Sequence, residues 1–174
     1  VSGEMRTTSV TLWREQARRV LDMIRTHQFH SAFALAQSLP IGGQAKVIQD
    51  SVQVLAEWDR MEYGVASHTI SKLTPILDYL RDDPLCRPLM PVLERIKSAS
   101  GRITGTLPYL DTDEKLRGLD PHHLVPVIPM GMELLALDSF ENAKRRLTEG
   151  RYADAALRSY RAVEVACQKE LLIT

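Results

Sequence analysis

Arg25-Thr-His-Gln-Phe-His30 sets an arginine a short step ahead of a histidine. At that spacing a ribonuclease can divide its labour. The guanidinium would stabilise charge on a pentavalent phosphorane, and the imidazole would handle a proton of the 2′-hydroxyl attack. The same string straddles a helix turn that Phe29 would anchor, and spacings of this kind arise readily by chance. An exposed turn is the expected reading, and catalysis by Arg25 and His30 would need their mutual geometry. His122-His123, with Asp120 and Asp111 nearby, resembles a metal cluster in composition only. Adjacent histidines point apart, and no Cys or His stands at a zinc spacing from them, so a polar loop and no metal are expected.

A third group lies near the end of the chain. Arg145, Arg146, Arg151, Arg158 and Arg161 alternate with Tyr152 and Tyr160. Guanidinium groups hold phosphates and flat rings stack bases, so Arg151, Arg158 and Arg161 are the candidates for contact with RNA. Glu141, Glu149, Asp154 and Glu164 are interspersed and would neutralise much of that field, which makes a solvated helix face the competing reading. There is no Walker sequence, no GxSxG and no nucleophile beside a base, and no cofactor is expected.

Composition bounds the rest. The 174 residues are 44% hydrophobic and 25% charged, ordinary for a globular chain. Lys+Arg and Asp+Glu are 22 each, so the chain is not an electrostatic glove for nucleic acid, although a local basic stripe is compatible with zero net charge. Cys86 and Cys167 stand far apart, and Cys167 falls on an apolar helix side. Buried thiols in a reducing, cytoplasmic compartment are therefore expected. No apolar run approaches the roughly 18 residues of a membrane span. The chain opens on Val1, which suggests a piece of a longer protein.

The elements that must position these residues read as helices throughout. Trp13, Ala17, Val20, Leu21 and Ile24 share one face after a polar lead of about ten residues. Phe29, Ala32, Phe33, Ala36 and Leu39 follow, stopped by Pro40. Val47, Ile48, Val52, Leu55 and Trp58 make the next face, then Ala66, Ile70 and Leu73, with Thr74-Pro75 as a kink or a fresh start. Leu89, Val92, Leu93 and Ile96 carry a helix to about Ala99. Between Gly101 and Pro129, Asp111 and Glu114 fit a capping box closed by Gly118, and Pro121, Pro126 and Pro129 argue against a long helix. Met132, Ala136, Phe140, Ala143 and Leu147 then predict one apolar helix side. After a stop at Gly150, Tyr152, Ala156, Tyr160, Val163, Cys167 and Leu171 predict another. Asp154 with Arg158, and Arg161 with Glu164, are spaced to pair.

The expected fold is all-α: antiparallel helical hairpins in a bundle of tetratricopeptide-like or HEPN-like kind, with about seven or eight helices. Residues 1–174 are read as a single helical domain, with possible sub-units 9–100 (helical array), 101–129 (proline-rich crossing) and 130–174 (hairpin). One hinge recurs. Phe29-His-Ser-Ala32, Tyr63-Gly-Val-Ala66 and Tyr152-Ala-Asp-Ala155 each open a helix with an aromatic residue, two others and an alanine. The aromatic is expected to plug the gap beside the turn and the alanine to sit where two axes come closest. The copies do not keep the period of about 34 residues of a tetratricopeptide array.

With those residues set out, ENAKRRLTEGRYADAALRSYRAVEVACQ (141–168) resembles CRISPR-associated accessory proteins of the CARF/HEPN-like type III group. The hinges WDRMEYGVASHTISKL and THQFHSAFALAQSL are similar to helical segments upstream in that group. The resemblance implies a Rossmann-like sensor for cyclic oligoadenylate, a helical effector that cleaves RNA, and homodimerisation, to which the apolar Leu124–Ile128 stretch also points. The sequence shows no β-α-β sensor with a Gly-rich loop, and it ends before the place where the family carries its Arg/His element. The chain itself is therefore expected to be a helical, non-catalytic part of such a defence protein, with RNA and cyclic oligoadenylate engaged elsewhere in the parent. The rival reading is a tetratricopeptide-like protein-interaction module with no nucleic-acid role. A third is a small stand-alone ribonuclease using Arg25 and His30.

Overall fold

A computed structural model describes residues 2–40, 42–110 and 127–173, with side chains described for 11–40, 42–107 and 128–171. Every regular element among them is helical: α1 (Ser2–Arg25), α2 (Phe29–Ala36), α3 (Gly43–Asp59), α4 (Tyr63–Leu80), a short 3-10 turn (Arg87–Leu89), α5 (Met90–Leu110), α6 (Val127–Thr148) and α7 (Tyr152–Ile173). The all-α expectation holds. The chain divides into two compact units, Val1–Lys97 and Ser98–Thr174, and α5 contributes residues to both.

The recurring hinge is one backbone device used three times. His27, Met61 and Gly150 all have positive φ, at 60°, 64° and 74°. After each, the next amide donates back across the turn: Gln28 to the Met23 carbonyl at 2.9 Å, Glu62 to Glu57 at 2.9 Å, Arg151 to Arg146 at 2.8 Å. The left-handed residue itself donates to the carbonyl three before it: His27 to Ile24, Met61 to Trp58, Gly150 to Leu147. This pair of bonds is the Schellman closure, which satisfies carbonyls that a helix end leaves orphaned. The next helix starts two residues later, and its alanine is buried each time: Ala32, Ala66 and Ala155. Left-handed backbone costs an L-residue about 1–2 kcal/mol. Met61→Gly is therefore expected to stabilise the first unit by about 1 kcal/mol, and Gly150→Ala to destabilise the second by a similar amount, both read by urea unfolding.

The aromatic wedge holds at two hinges and not at the third. Phe29 is half-buried with its ring edge-on to His27, centroids 5.7 Å apart. Tyr63 is 2% exposed and meets Trp58 edge-on at 4.9 Å. Tyr152 is 70% exposed. The residue that corresponds to Trp58 at that corner is Leu147, itself 56% exposed, so Tyr152 finds no aromatic neighbour to wedge against.

In the first unit α1 packs on α2, α2 on α3 and α3 on α4. Ala17, Val20 and Leu21 of α1, Ala32 and Ala36 of α2, and Ala66, Ile70, Leu73 and Leu77 of α4 keep helical steps of three and four and are buried. The middle helix α3 buries Val47, Ile48, Ser51, Val52, Val54 and Leu55 over much of its circumference, because α2 and α4 both cover it. Leu89, Met90, Leu93 and Ile96 complete the core. Helix α4 runs on through Pro75, and the Thr74 hydroxyl donates to the Ile70 carbonyl at 2.9 Å one turn back. Asp83 orders the turn before the 3-10 element: its Oδ1 accepts from the Leu85 and Cys86 amides at 2.9 and 3.1 Å, and its Oδ2 from the Gln44 side chain.

Three helix boundaries differ from the sequence reading. Helix α1 begins at Ser2 instead of after the polar lead, and α5 continues past Ala99 to Leu110. Gly101 and Gly105 lower helix propensity, but Ser100, Ile103 and Thr106 are buried along one stripe, and tertiary packing overrides propensity. Pro129 falls in the first turn of α6, where a missing N–H leaves no bond unmade. The capping box at Asp111 and Glu114, Gly118, Pro121, Pro126 and Leu124–Val125 lie outside the described residues.

Candidate functional site

The antiparallel pair α6–α7 carries the arginine-rich stretch, and its buried seam is not the apolar one expected. On α6 the inward stripe is Ile128, Met132, Leu135, Ser139, Asn142, Ala143 and Arg146; on α7 it includes Ala155, Ala162 and Val165. Of the residues predicted to face inward, Met132 and Ala143 do so. Phe140 and Leu147 are 52% and 56% exposed, and Tyr152, Tyr160, Val163 and Leu171 are exposed by 62% or more. The seam joins the large apolar Ile128, Met132, Leu135 and Val165 to small and polar side chains at Ser139, Asn142, Ala143, Arg146, Ala155 and Ala162, and the remaining bulky apolar residues are left on the outer side.

Charge organises that seam at the hinge end. Arg146 has only 7% of its side chain exposed; its Nη1 lies 2.8 Å from Glu149 and its Nε 3.4 Å from Asp154. Asp154 also receives Arg158 Nε at 2.8 Å and Arg151 Nη2 at 2.8 Å. Burial alone would raise the Asp154 carboxyl. The hydrogen bond from Arg158, with the charges of Arg158, Arg151 and Arg146, outweighs it and holds the group below its ordinary value. Farther along, Arg161 pairs with Glu164 at 2.7 Å, and Lys169 reaches across to Glu133 at 3.0 Å. Both predicted intrahelical pairs are present. Arg151, Arg158 and Arg161 are thus all engaged by carboxylates, and Arg158 and Arg161 are largely withdrawn from solvent, so the surface they present is not an open row of cations.

The outer face has a shallow apolar groove of about 680 Å³, with Ala136 and Leu137 of α6 opposite Val163, Cys167 and Leu171 of α7. Cys167 is exposed there, contrary to the expectation of two buried thiols, because its helix turns the predicted apolar side outward. Cys86 is buried, and burial, helped by Asp83, pushes its thiol up to about 12. One thiol is expected to react quickly with Ellman's reagent in the native protein, and both after denaturation. Cys167→Ser should abolish the fast phase.

A second cavity, of about 530 Å³, lies within the first unit. Arg14, Arg18 and Arg25 line one wall from α1, and Pro84, Leu85 and Pro88 line the other. Arg25 is exposed and bonds Asp22 at 2.8 Å. His30 is exposed at the start of α2 and is not among the residues lining that cavity. His122-His123, Asp120 and Asp111 lie outside the described residues; among the described ones no three His, Cys, Asp or Glu side chains gather as metal ligands. No described helix is long and apolar enough to cross a membrane.

Two signals in the sequence went unused. Arg117 and His122 repeat the arginine–histidine spacing, and both lie outside the described residues. Gly131 marks a close helix approach: a Cβ there would stand 1.9 Å from Thr106 Oγ1 and 2.5 Å from the Arg102 carbonyl oxygen. Nothing in a lone glycine near a helix start distinguishes that from a cap.

Against known proteins, residues 127–174 match the family model of the Csm6 HEPN domain. The match coincides with α6 and α7, and residues 1–126 fall outside it. No curated protein and no solved structure matches the chain.

Proposed function

We propose that this chain is a helical part of a CRISPR-associated effector in type III antiviral defence, with α6–α7 forming one hairpin of a HEPN domain that degrades RNA. The observation that carries this reading is the coincidence of the family match at 127–174 with an antiparallel helix pair that turns an apolar face outward. Such a face fits a hairpin that is one component of a larger helical assembly. Residues 127–174 contain no histidine, so a HEPN ribonuclease would draw its histidine from elsewhere in the protein or its partner copy. Cyclic oligoadenylate, as activator, would act through a Rossmann-like sensor, to which the described helices offer no counterpart. We also propose that the protein is a homodimer, with Leu137, Phe140, Val163 and Leu171 in the joining face.

The tetratricopeptide-like alternative has one observation in its favour, the thrice-used hinge at His27, Met61 and Gly150. A cleavage assay separates the two. The full-length protein, with cyclic oligoadenylate supplied, is expected to cut a labelled single-stranded RNA and leave its 2′-deoxy counterpart intact, since the attacking group is the 2′-hydroxyl. His30→Ala should cut as the parent does, because His30 is exposed and stands apart from the cavity Arg25 lines. An intact RNA after prolonged incubation would defeat the reading and favour the interaction module. Loss of cutting in that variant would restore Arg25 and His30 as a catalytic pair.

A further inference from the structure

The cavity between α1 and the Pro84–Pro88 turn is a cationic cleft with no part in the family match. Arg14, Arg18 and Arg25 fall on one side of α1, at about 6 Å and then about 10 Å along the axis, given a rise of 1.5 Å per residue. Their counter-charges are not equal. Arg25 is held by Asp22 at 2.8 Å. Arg18 lies 3.6 Å from Glu15, beyond good hydrogen-bond reach, with most of its side chain in solvent. Arg14 rests over the Trp13 ring at 6.0 Å. The other carboxylate at the cleft, Asp83, spends its oxygens on the Leu85 and Cys86 amides and on Gln44. It therefore competes weakly for the arginines across from it. Opposite them Pro84, Leu85 and Pro88 make an apolar wall.

We infer that this cleft binds a row of phosphates, and specifically the backbone of a short single-stranded nucleic acid, with bases resting on the proline–leucine wall. Guanidinium forks suit phosphate oxygens. Anchors spread over three helix turns suit successive anionic groups better than one compact anion, and an apolar wall suits the flat face of a base. The volume lies within the ordinary range of ligand sites, about 300–1,000 Å³. The surplus of arginine here is local, in a chain whose net charge is zero. The inference does not depend on the cleavage reading, and the probe keeps the two apart: a 2′-deoxy strand cannot be cut by 2′-hydroxyl attack.

The test is fluorescence anisotropy of the whole protein with a labelled 12-nucleotide single-stranded DNA over a range of salt. The parent is expected to bind, more weakly as salt rises. Arg14→Ala with Arg18→Ala should bind at least tenfold more weakly and lower the salt slope by about 1.4, the contribution of two phosphate contacts on a single strand. Arg18→Lys should keep most of the salt slope, and Lys72→Ala, on the exposed side of α4 away from the cleft, should bind as the parent. Far-UV circular dichroism and melting confirm that each variant is folded. Unlabelled strand displacing the probe at lower concentration than ATP supports the phosphodiester source, and the reverse order assigns the same row of phosphates to a nucleotide polyphosphate. Displacement by an acidic peptide as effective as the strand, no binding by the parent, or equal binding by the folded double variant would overturn the inference.

Discussion

Gly131→Ala is expected to destabilise the second unit by about 3 kcal/mol, the upper end for forcing an added group into a packed contact. The new methyl would sit 1.9 Å from Thr106 Oγ1 and 2.5 Å from the Arg102 carbonyl oxygen. The second contact is backbone, so no rotamer change relieves it, and α5 and α6 must separate. Thr106→Ala should rescue only part of the loss, since it removes the hydroxyl and leaves the carbonyl in place. Gly105→Ala is the control. That position is open and interior to α5, where alanine is favoured over glycine by roughly 1 kcal/mol. Urea unfolding of the three variants gives the comparison. A Gly131→Ala protein as stable as the parent would mean that α5 and α6 do not meet as described.

The second large effect belongs to Asp154. Asp154→Ala leaves Arg146, 5% exposed, and Arg158, with 12% of its side chain exposed, without their shared carboxylate. Breaking a buried pair from one side costs about 3–5 kcal/mol. Asp154 keeps 27% of its side chain in solvent and Glu149 still reaches Arg146, so about 2–3 kcal/mol is expected after screening. The pH dependence follows from the direction of the shift. Its carboxyl is held low in the folded protein, so the unfolded chain binds that proton more readily. The stabilisation is full above the ordinary carboxylate value of 3.8 and is lost as pH falls from there through the lower folded-state value. Asp154→Asn should flatten that part of the acid limb of the stability curve.

Much of the fold was legible because it rests on local rules. The alanines at 32, 66 and 155 mark hinges whose backbone is the same in all three copies. The faces of α1 to α4 follow from steps of three and four, since large apolar residues there coincide with what is buried. That coincidence fails in α6–α7. Each of these helices has an apolar stripe, and spacing alone ranks the bulkier one as the core. The described fold buries the other, which carries Ile128, Met132, Leu135 and Val165 together with Ser139, Asn142 and Arg146, and complementary charge and small side chains close the hinge end. The exposures of Tyr152, Cys167 and the remaining outer residues all come from that one rotation. In the cleft, Arg14, Arg18 and Arg25 stand out in sequence, but their facing wall at Pro84–Pro88 comes from a distant turn that Asp83 and Gln44 set in place. Only tertiary structure unites the two.

The outward turn of that apolar stripe is the centre of the account, and sedimentation velocity tests it most directly. At tens of micromolar the parent is expected to sediment as a dimer, and Leu137→Lys with Val163→Lys as a monomer. The double variant should keep the parent's helical content by far-UV circular dichroism, since both side chains already face solvent at 57% and 62%. A parent that stays monomeric, or a variant that unfolds because those side chains were core after all, would contradict it.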